Sequence, residues 1–279
     1  MAIDFMKEII FGSDNKAESK MIAYKEKKGI VRKIAPRLYT TNLLDSPESI
    51  VRRNLIPILG WRLPGCVISH KSASLLKPTN NGNLYVTYKF SKRIDDLPGL
   101  ILNVMRGHGH LESDIRLGAS DVYASSEERW MLEVLQPARK GKGGESKGMR
   151  LNDIEARLDS MIRVGGEARL NQFRDKARST AEQLGMPDEF CKLNSLISAL
   201  LQTHESSVLT TVEGLARASG EPLDPTRIPI FEALYEELEG RYFPDMPDNN
   251  KSEEAYRMFS FFESYFSNYI VDPALVRNN

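Results

Sequence analysis

Apolar residues recur along this chain with two different periods, and the change between them divides it. Residues 3–11 (Ile-Asp-Phe-Met-Lys-Glu-Ile-Ile-Phe) space their apolar positions as a helix does, and Gly12-Ser-Asp-Asn15 closes that helix and can cap a second, Lys16 to Lys28, ended by Gly29. Ile30 to Thr41 reads as two short strands folded around Ala35-Pro36-Arg37. Ser46-Pro47-Glu48 begins a helix running to about Gly60, with Ser as N-cap and Pro in the first turn, and Ser69 can cap a short helix from His70 to Leu76. A turn at 78–82 then leads into the period-two run 84–90. Leu100 to Met105 is expected as its antiparallel neighbour across a polar loop around Leu97-Pro98-Gly99. A short strand near Val122-Tyr123 and a helix from Ser126 to Leu135 follow.

From about residue 150 the helical period takes over, with helices expected at 151–163, 166–184, 188–203, 210–219, 225–240 and 252–270. Their breaks are Gly165-Gly166, Gly185-Met-Pro187, Gly220-Glu-Pro222 and Pro244 to Pro247. The last of them carries Met258, Phe259, Phe262, Phe266 and Tyr269 on one wide aromatic face, which wants a partner surface or a core. The glycine-rich, basic stretch 138–149 reads as a mobile linker. The resulting expectation is an α+β protein, mostly helical. Residues 1–45 form a winged-helix-like module, 46–137 a small α/β unit, 138–149 the linker and 150–279 a helical domain.

Composition adds a sizeable core, since 41% of the 279 residues are hydrophobic, while the absence of a long apolar run or of a signal-peptide pattern points to a cytoplasmic protein with no membrane contact. Cys66 and Cys191 lie in apolar contexts with no Cys-x-x-Cys pairing and are expected buried and reduced. The zero net charge conceals an asymmetry. From Lys20 to Arg93 there are fifteen Lys or Arg against three acids, and from Glu213 to Glu263 twelve acids against five basic residues. One end of the chain is therefore suited to an anionic partner, and double-stranded DNA is the natural candidate. Lys25, Lys27, Lys28, Arg32, Lys33 and Arg37 bracket the second helix and the hairpin where they could neutralise phosphates. Arg52 and Arg53 extend that track, and Tyr39 could orient backbone contacts.

Other patterns carry less. His108, His110, Glu112 and Asp114 have ligand-like spacing, but no further His or Cys cluster completes a metal shell, and a glycine-rich loop explains them. Ser69-His70 lacks an acidic orienter and suits a helix cap better than a nucleophile and its base. Gly141 to Lys147 lacks the residue order of a phosphate loop, and Glu236, Glu237 and Glu239 read as a solvated helix face. No cofactor is implied.

Two resemblances agree with this reading. The segment Glu254 to Ile270 resembles the helix that precedes the catalytic core in Fic-family proteins, the AMP-transferring enzymes, and Ser267-Asn-Tyr-Ile fits the first positions of their inhibitory motif. Val271 and Asp272 stand where that motif has its inhibitory Glu, and nothing like the family's catalytic His-Pro-Phe-x-x-Gly-Asn-Gly-Arg surrounds His70, His108, His110 or His204. Lys33-Ile-Ala-Pro-Arg-Leu-Tyr-Thr, Leu63-Pro-Gly-Cys-Val-Ile-Ser-His-Lys-Ser-Ala73 and Asp121 to Arg129 resemble AbiEi-type abortive-infection antitoxins, with Pro36-Arg37 where an Arg-Gly step is usual in the wing. Those proteins join a DNA-binding winged helix to an antitoxin domain and repress their own operons. The resemblances imply a non-enzymatic, DNA-binding regulator of a toxin-antitoxin or phage-defence locus. Its partner would be a toxin or a separate Fic catalytic domain, engaged through Phe259, Phe262, Phe266 and Tyr269, with a homodimer as a further option. The alternative is the regulatory half of a split Fic AMP-transferase.

Overall fold

In a computed structural model, residues 5–138, 145–203, 206–220, 223–224, 227–242 and 252–271 are described, with the backbone alone at 206 and 264–271. The first expected helix is a strand. Ile9–Phe11 (β1) pairs antiparallel with Leu38–Thr40 (β3), residues 5–8 form turns, and residues 3 and 4 lie outside the described residues. Nine residues make a marginal helix in water, whereas two adjacent isoleucines gain a ladder of hydrogen bonds and a buried face by pairing. Lys16–Lys27 (α1) follows, then Arg32–Ala35 (β2), which also pairs with β3, giving the antiparallel order β1-β3-β2. Ile10, Ile22 and Val31 are buried together with Phe5 and Tyr39 alongside, so one face of α1 is seated on this small sheet.

The helix expected at 46–60 is divided into Pro47–Arg53 (α2) and Leu55–Arg62 (α3). Pro57 is the cause, because it offers no N–H and its ring crowds the carbonyl four residues back, at Arg53. Beyond them lie Cys66–Ile68 (β4), His70–Leu75 (α4), Asn83–Tyr88 (β5), Lys92–Leu97 (β6), Leu100–Arg106 (β7), Ile115–Arg116 (β8) and Val122–Ala124 (β9). They build a six-stranded sheet in the order β6-β7-β5-β4-β9-β8. Here β7 runs parallel to β5, with Val86 opposite Val104, and is not its antiparallel neighbour as the alternation implied. The stretch taken for a polar loop is β6, which hairpins onto β7 through Pro98-Gly99 with Gly99 at φ 68°. Burial decides the order: Leu100, Leu102 and Val104 put β7 in the interior, and the exposed Lys92, Arg93, Asp95 and Asp96 confine β6 to the edge. Ile50, Ile58 and Leu59 of α2 and α3 pack with Leu84, Val86 and Leu102 of this sheet in one core.

Glu127–Val134 (α5) leads into a helical layer of Leu151–Leu184 (α6), Pro187–Leu200 (α7) and Val212–Ala218 (α8). Its core joins Met131, Leu132, Leu158, Phe173, Leu193 and Ile197 among others. The expected break at Gly165-Gly166 is a kink inside α6, where Gly166 adopts φ 68°, ψ −176°. Two buried acids fasten α8: Glu155 accepts from the backbone and hydroxyls of Thr210 and Thr211, and Asp159 pairs with Arg217 at 2.6 Å. Cys66 is buried, and burial pushes its thiol up to about 12, but Cys191 is exposed on α7, contrary to expectation, because its helical position turns it away from the Leu193–Ile197 face.

The expected linker is anchored at its C-terminal end. Glu145 accepts from Thr79 Oγ1 and Asn83 Nδ2, both at 2.7 Å, and the Lys147 ammonium donates to Gln136 Oε1 at 2.7 Å. Residues 139–144 lie outside the described residues. Two compact units result, Met1–Leu223 and Asp224–Asn279, so α6 to α8 share a unit with the sheets rather than with the helices that follow. The second unit holds Ile228–Glu239 (α9) and Glu253–Val271 (α10). Among the described residues no helix is long and apolar enough to cross a membrane.

A buried guanidinium ties α5 to the loop after β7. Arg129, 1% exposed, donates Nε to Glu133 (2.9 Å), Nη1 to Asp114 (2.6 Å) and the Gly109 carbonyl (2.8 Å), and Nη2 to the His108 carbonyl (3.0 Å). Glu133 in turn accepts from the Ser125 hydroxyl and from the backbone N–H of His70, while Asp114 accepts from the backbone of Leu111 and Ser126. Asp114, from the stretch with ligand-like spacing, is thus a salt-bridge partner, and His110 stacks on Tyr123 with ring centres 3.8 Å apart. Ser69 occupies the N-cap position of α4 without capping it. Its hydroxyl lies 3.0 Å from His70 Nδ1 and receives a hydrogen bond from Thr87, and Glu133 satisfies the helix start instead.

Removing the cation leaves two buried carboxylates uncompensated, so Arg129→Ala is expected to lower the unfolding free energy by about 3–5 kcal/mol, read from urea denaturation. Burial also lowers the His70 imidazole to about 4, so the folded state holds it neutral. The unfolded chain binds that proton first as pH falls from about 6.5, so the stabilisation is full above that value and is lost by about pH 4, roughly 3 kcal/mol in all. Denaturation midpoints from pH 7 to pH 4 are expected to fall more steeply in the wild type than in His70→Gln.

Candidate nucleic-acid interface

Helix α1 is capped at both ends by its own sequence. Asn15 accepts from the Ala17 backbone at 2.8 Å, and at the other end Gly29, at φ 70°, lets its own N–H reach the Glu26 carbonyl and that of Ile30 reach Lys25, both at 2.9 Å. Ile22, 2% exposed, points inward and sets which face meets the sheet. On the opposite side, at steps of four and seven, stand Lys16, Lys20 and Lys27, with Ala23 and Tyr24 between them, all exposed. Lys16 and Lys27 are separated by about 16 Å of helix at 1.5 Å per residue. Among the described residues, the ammonium groups of this row make no hydrogen bond or ion pair.

The hairpin beside α1 is held closely. Pro36-Arg37 forms the two-residue turn between β2 and β3, with Arg37 at φ 59°, where glycine is usual. The Gly12 N–H donates to the Arg37 carbonyl at 2.7 Å, and a Cβ on Gly12 would meet Arg37 Cβ at 2.9 Å, so β1 and the turn approach this closely only because residue 12 is glycine.

The nine residues expected to contact DNA do not form one free track. Lys27, Lys33 and Arg52 are exposed and, among the described residues, have no side-chain partner. Lys25 sits over the Phe5 ring at 4.1 Å and Lys28 over Tyr24 at 4.8 Å, both with their charge still available. The arginines are engaged within the fold. Arg37 pairs with Asp14 at 2.7 Å, Arg32 donates to the carbonyls of Asn42 and Asp45, and Arg53 binds Glu8 and Asp45. Tyr39 is half-buried in the small core beside Ile22. Lys16 and Lys20, outside those nine, share the exposed face with Lys27, and helical spacing was the available signal: both fall on the face that Ile22 leaves outward.

Arg53 fastens the N-terminal sheet to α2. Its hydrogen bonds to Glu8, reinforced by those of Asn54 and Asn42 and opposed by partial burial, hold the Glu8 carboxyl at about 2, and the same guanidinium lowers Asp45. A depressed carboxylate stabilises the fold above its ordinary value near 4.5 and loses that contribution as pH falls toward 2. The wild type is therefore expected to exceed Glu8→Gln in thermal midpoint at pH 6, with the difference vanishing as the buffer is brought from pH 4.5 to pH 2.

Of the four expected partner-contact residues, Phe259 and Phe262 are exposed on α10 at 50% and 47%, and the side chains of Phe266 and Tyr269 lie outside the described residues. Among the described residues no group of three or more His, Cys, Asp or Glu is gathered as a metal site would require. Compared with known proteins, the chain matches no family model, no curated protein and no solved structure.

Proposed function

We propose that this chain is a DNA-binding regulator that lays α1 against duplex DNA. The lysine row of Lys16, Lys20 and Lys27 carries the reading: three cations aligned along one exposed face of a helix whose opposite face is held by a sheet. Such a row meets phosphates without first breaking internal ion pairs. Lys33 on β2 and the neighbouring Lys25 and Lys28 add charge close by. Ala23 and Tyr24, small and flat between the lysines, leave room for a groove and an edge for base or sugar contact. The antiparallel order β1-β3-β2 next to α1 supports a winged-helix type of docking, with the hairpin as the wing. Arg32, Arg37 and Arg53 act in this reading by holding that platform in place.

Regulation through a protein partner belongs to the same proposal. The exposed aromatic residues of α10, together with Ile230, Phe231 and Tyr235 of α9, favour a contact with another protein, whether a toxin or a separately encoded catalytic chain, over a purely solvated tail.

Fluorescence anisotropy of the chain on duplex DNA from its own upstream region and on a scrambled duplex, across a salt series, tests the DNA reading. A preference of about 4 kcal/mol or more for the native duplex is expected. The triple variant Lys16→Ala, Lys20→Ala, Lys27→Ala should reduce the slope of log K against log salt by about 3 while leaving the thermal midpoint unchanged. Weak binding equal on both duplexes, or an unchanged slope in the variant, would overturn it.

A further inference from the structure

Within the first unit, a cavity of about 250 Å³ opens where the ends of β5 and β7 face α5 and the turn between α6 and α7. Thr87, Arg106, His108, Gln136, Lys147 and Glu189 contribute to its walls. The charges around it are not balanced by one another. Arg129 and Glu133 reach it too, but they satisfy each other and the surrounding backbone, so neither is available to a ligand. That leaves Arg106 and Lys147 as the cations and Glu189 as the one uncommitted carboxylate.

Lys147 is the informative group. Its ammonium is half-buried, which lowers its pKa, and its hydrogen-bond partner is neutral, the Gln136 side-chain oxygen at 2.7 Å. Among the described residues no carboxylate comes within 4.0 Å of it, although Glu133 and Glu189 act on it from farther away. A partly desolvated ammonium held by an amide gains from an anion placed against its remaining N–H groups. Gln136 is itself fixed in that orientation. Its oxygen is shared with His70 Nε2 at 3.2 Å, and the His70 ring is held from behind by Ser69 and Thr87, a buried chain running from sheet to cavity. Arg106, at the end of β7, offers a guanidinium with no side-chain partner among the described residues on the same cavity.

We propose that this cavity binds a small anion of the phosphate or carboxylate class between Arg106 and Lys147. A guanidinium with its fork of donors and a point-charge ammonium lining one cavity are the pair of groups that recognises such oxyanions. Glu189 across the cavity repels a second anionic group and so limits the ligand to one charged head. Bound there, the anion would tie the end of β7 to the segment carrying Lys147.

Isothermal titration of the full chain with inorganic phosphate and, separately, with acetate tests this and separates the two chemistries. Saturable binding of at least one of them, with a Kd of roughly 1 mM, is expected for an isolated oxyanion held by two cations. Arg106→Ala and Lys147→Met should each weaken it about tenfold, and the triple α1 lysine variant should leave it unchanged. Thermal midpoints of the variants without anion establish that they fold. No saturable binding of either anion, or binding equal in wild type and Lys147→Met, would overturn the proposal, the latter because it places the ion on another basic surface such as α1.

Discussion

A guanidinium with 1% of its side chain exposed is tolerable only where acceptors replace the water it has lost, and Arg129 finds two carboxylates and two backbone carbonyls. Those acceptors come from the loop after β7 and from its own helix. Through Glu133 the network reaches the start of α4, and through Asp114 the start of α5. Because α5 also carries Met131, Leu132 and Val134 into the helical core, this buried charge cluster fixes the helix that packs against the α6–α8 layer. Apolar packing supplies the larger driving force there, but it is non-directional. The ion pairs and their hydrogen bonds give the junction of α5 with the loop after β7 its geometry.

The same economy of charge distinguishes the basic residues near the N-terminus. Arginines can satisfy several acceptors at once, and Arg32, Arg37 and Arg53 are used that way, closing the loop at 42–45, the turn at 36–37 and the joint between Glu8 and α2. Lysines, with one strongly hydrated point charge each, stay on the outside of α1. A platform braced by arginines and a surface row of lysines are different physical roles, although both add equally to the positive excess counted along the chain.

His70 links the junction to the cavity beside it. Its backbone lies in the left-handed region at φ 53°, an uncommon place for a side chain, and it is kept there because its N–H is committed to Glu133 and its ring to Ser69 and Gln136. Gln136 is therefore not free to turn, and Lys147 is held at the cavity wall by a partner that cannot neutralise it.

Much of the helical part was legible in the sequence. Glycine and proline at 185–187 and 220 interrupt a strong helical period and separate α6 from α7 and α8 from α9, while Gly165-Gly166 only kinks α6, because local propensity and capping act over a few residues and need no distant partner. The hairpin around Pro36-Arg37 and the Ser46 cap were legible for the same reason. What failed depended on partners far away in the chain. Ile9–Phe11 is a strand because β3 offers it an edge, and β7 runs parallel to β5 because apolar residues claim the interior while charged β6 is driven to the rim. The candidate interface divides likewise. Sequence alone determined that this end of the chain is basic, since charge is carried by composition. Only the tertiary structure decided which of those charges face outward, because seating Ile22 fixed the rotation of α1 and internal carboxylates and carbonyls claimed the arginines.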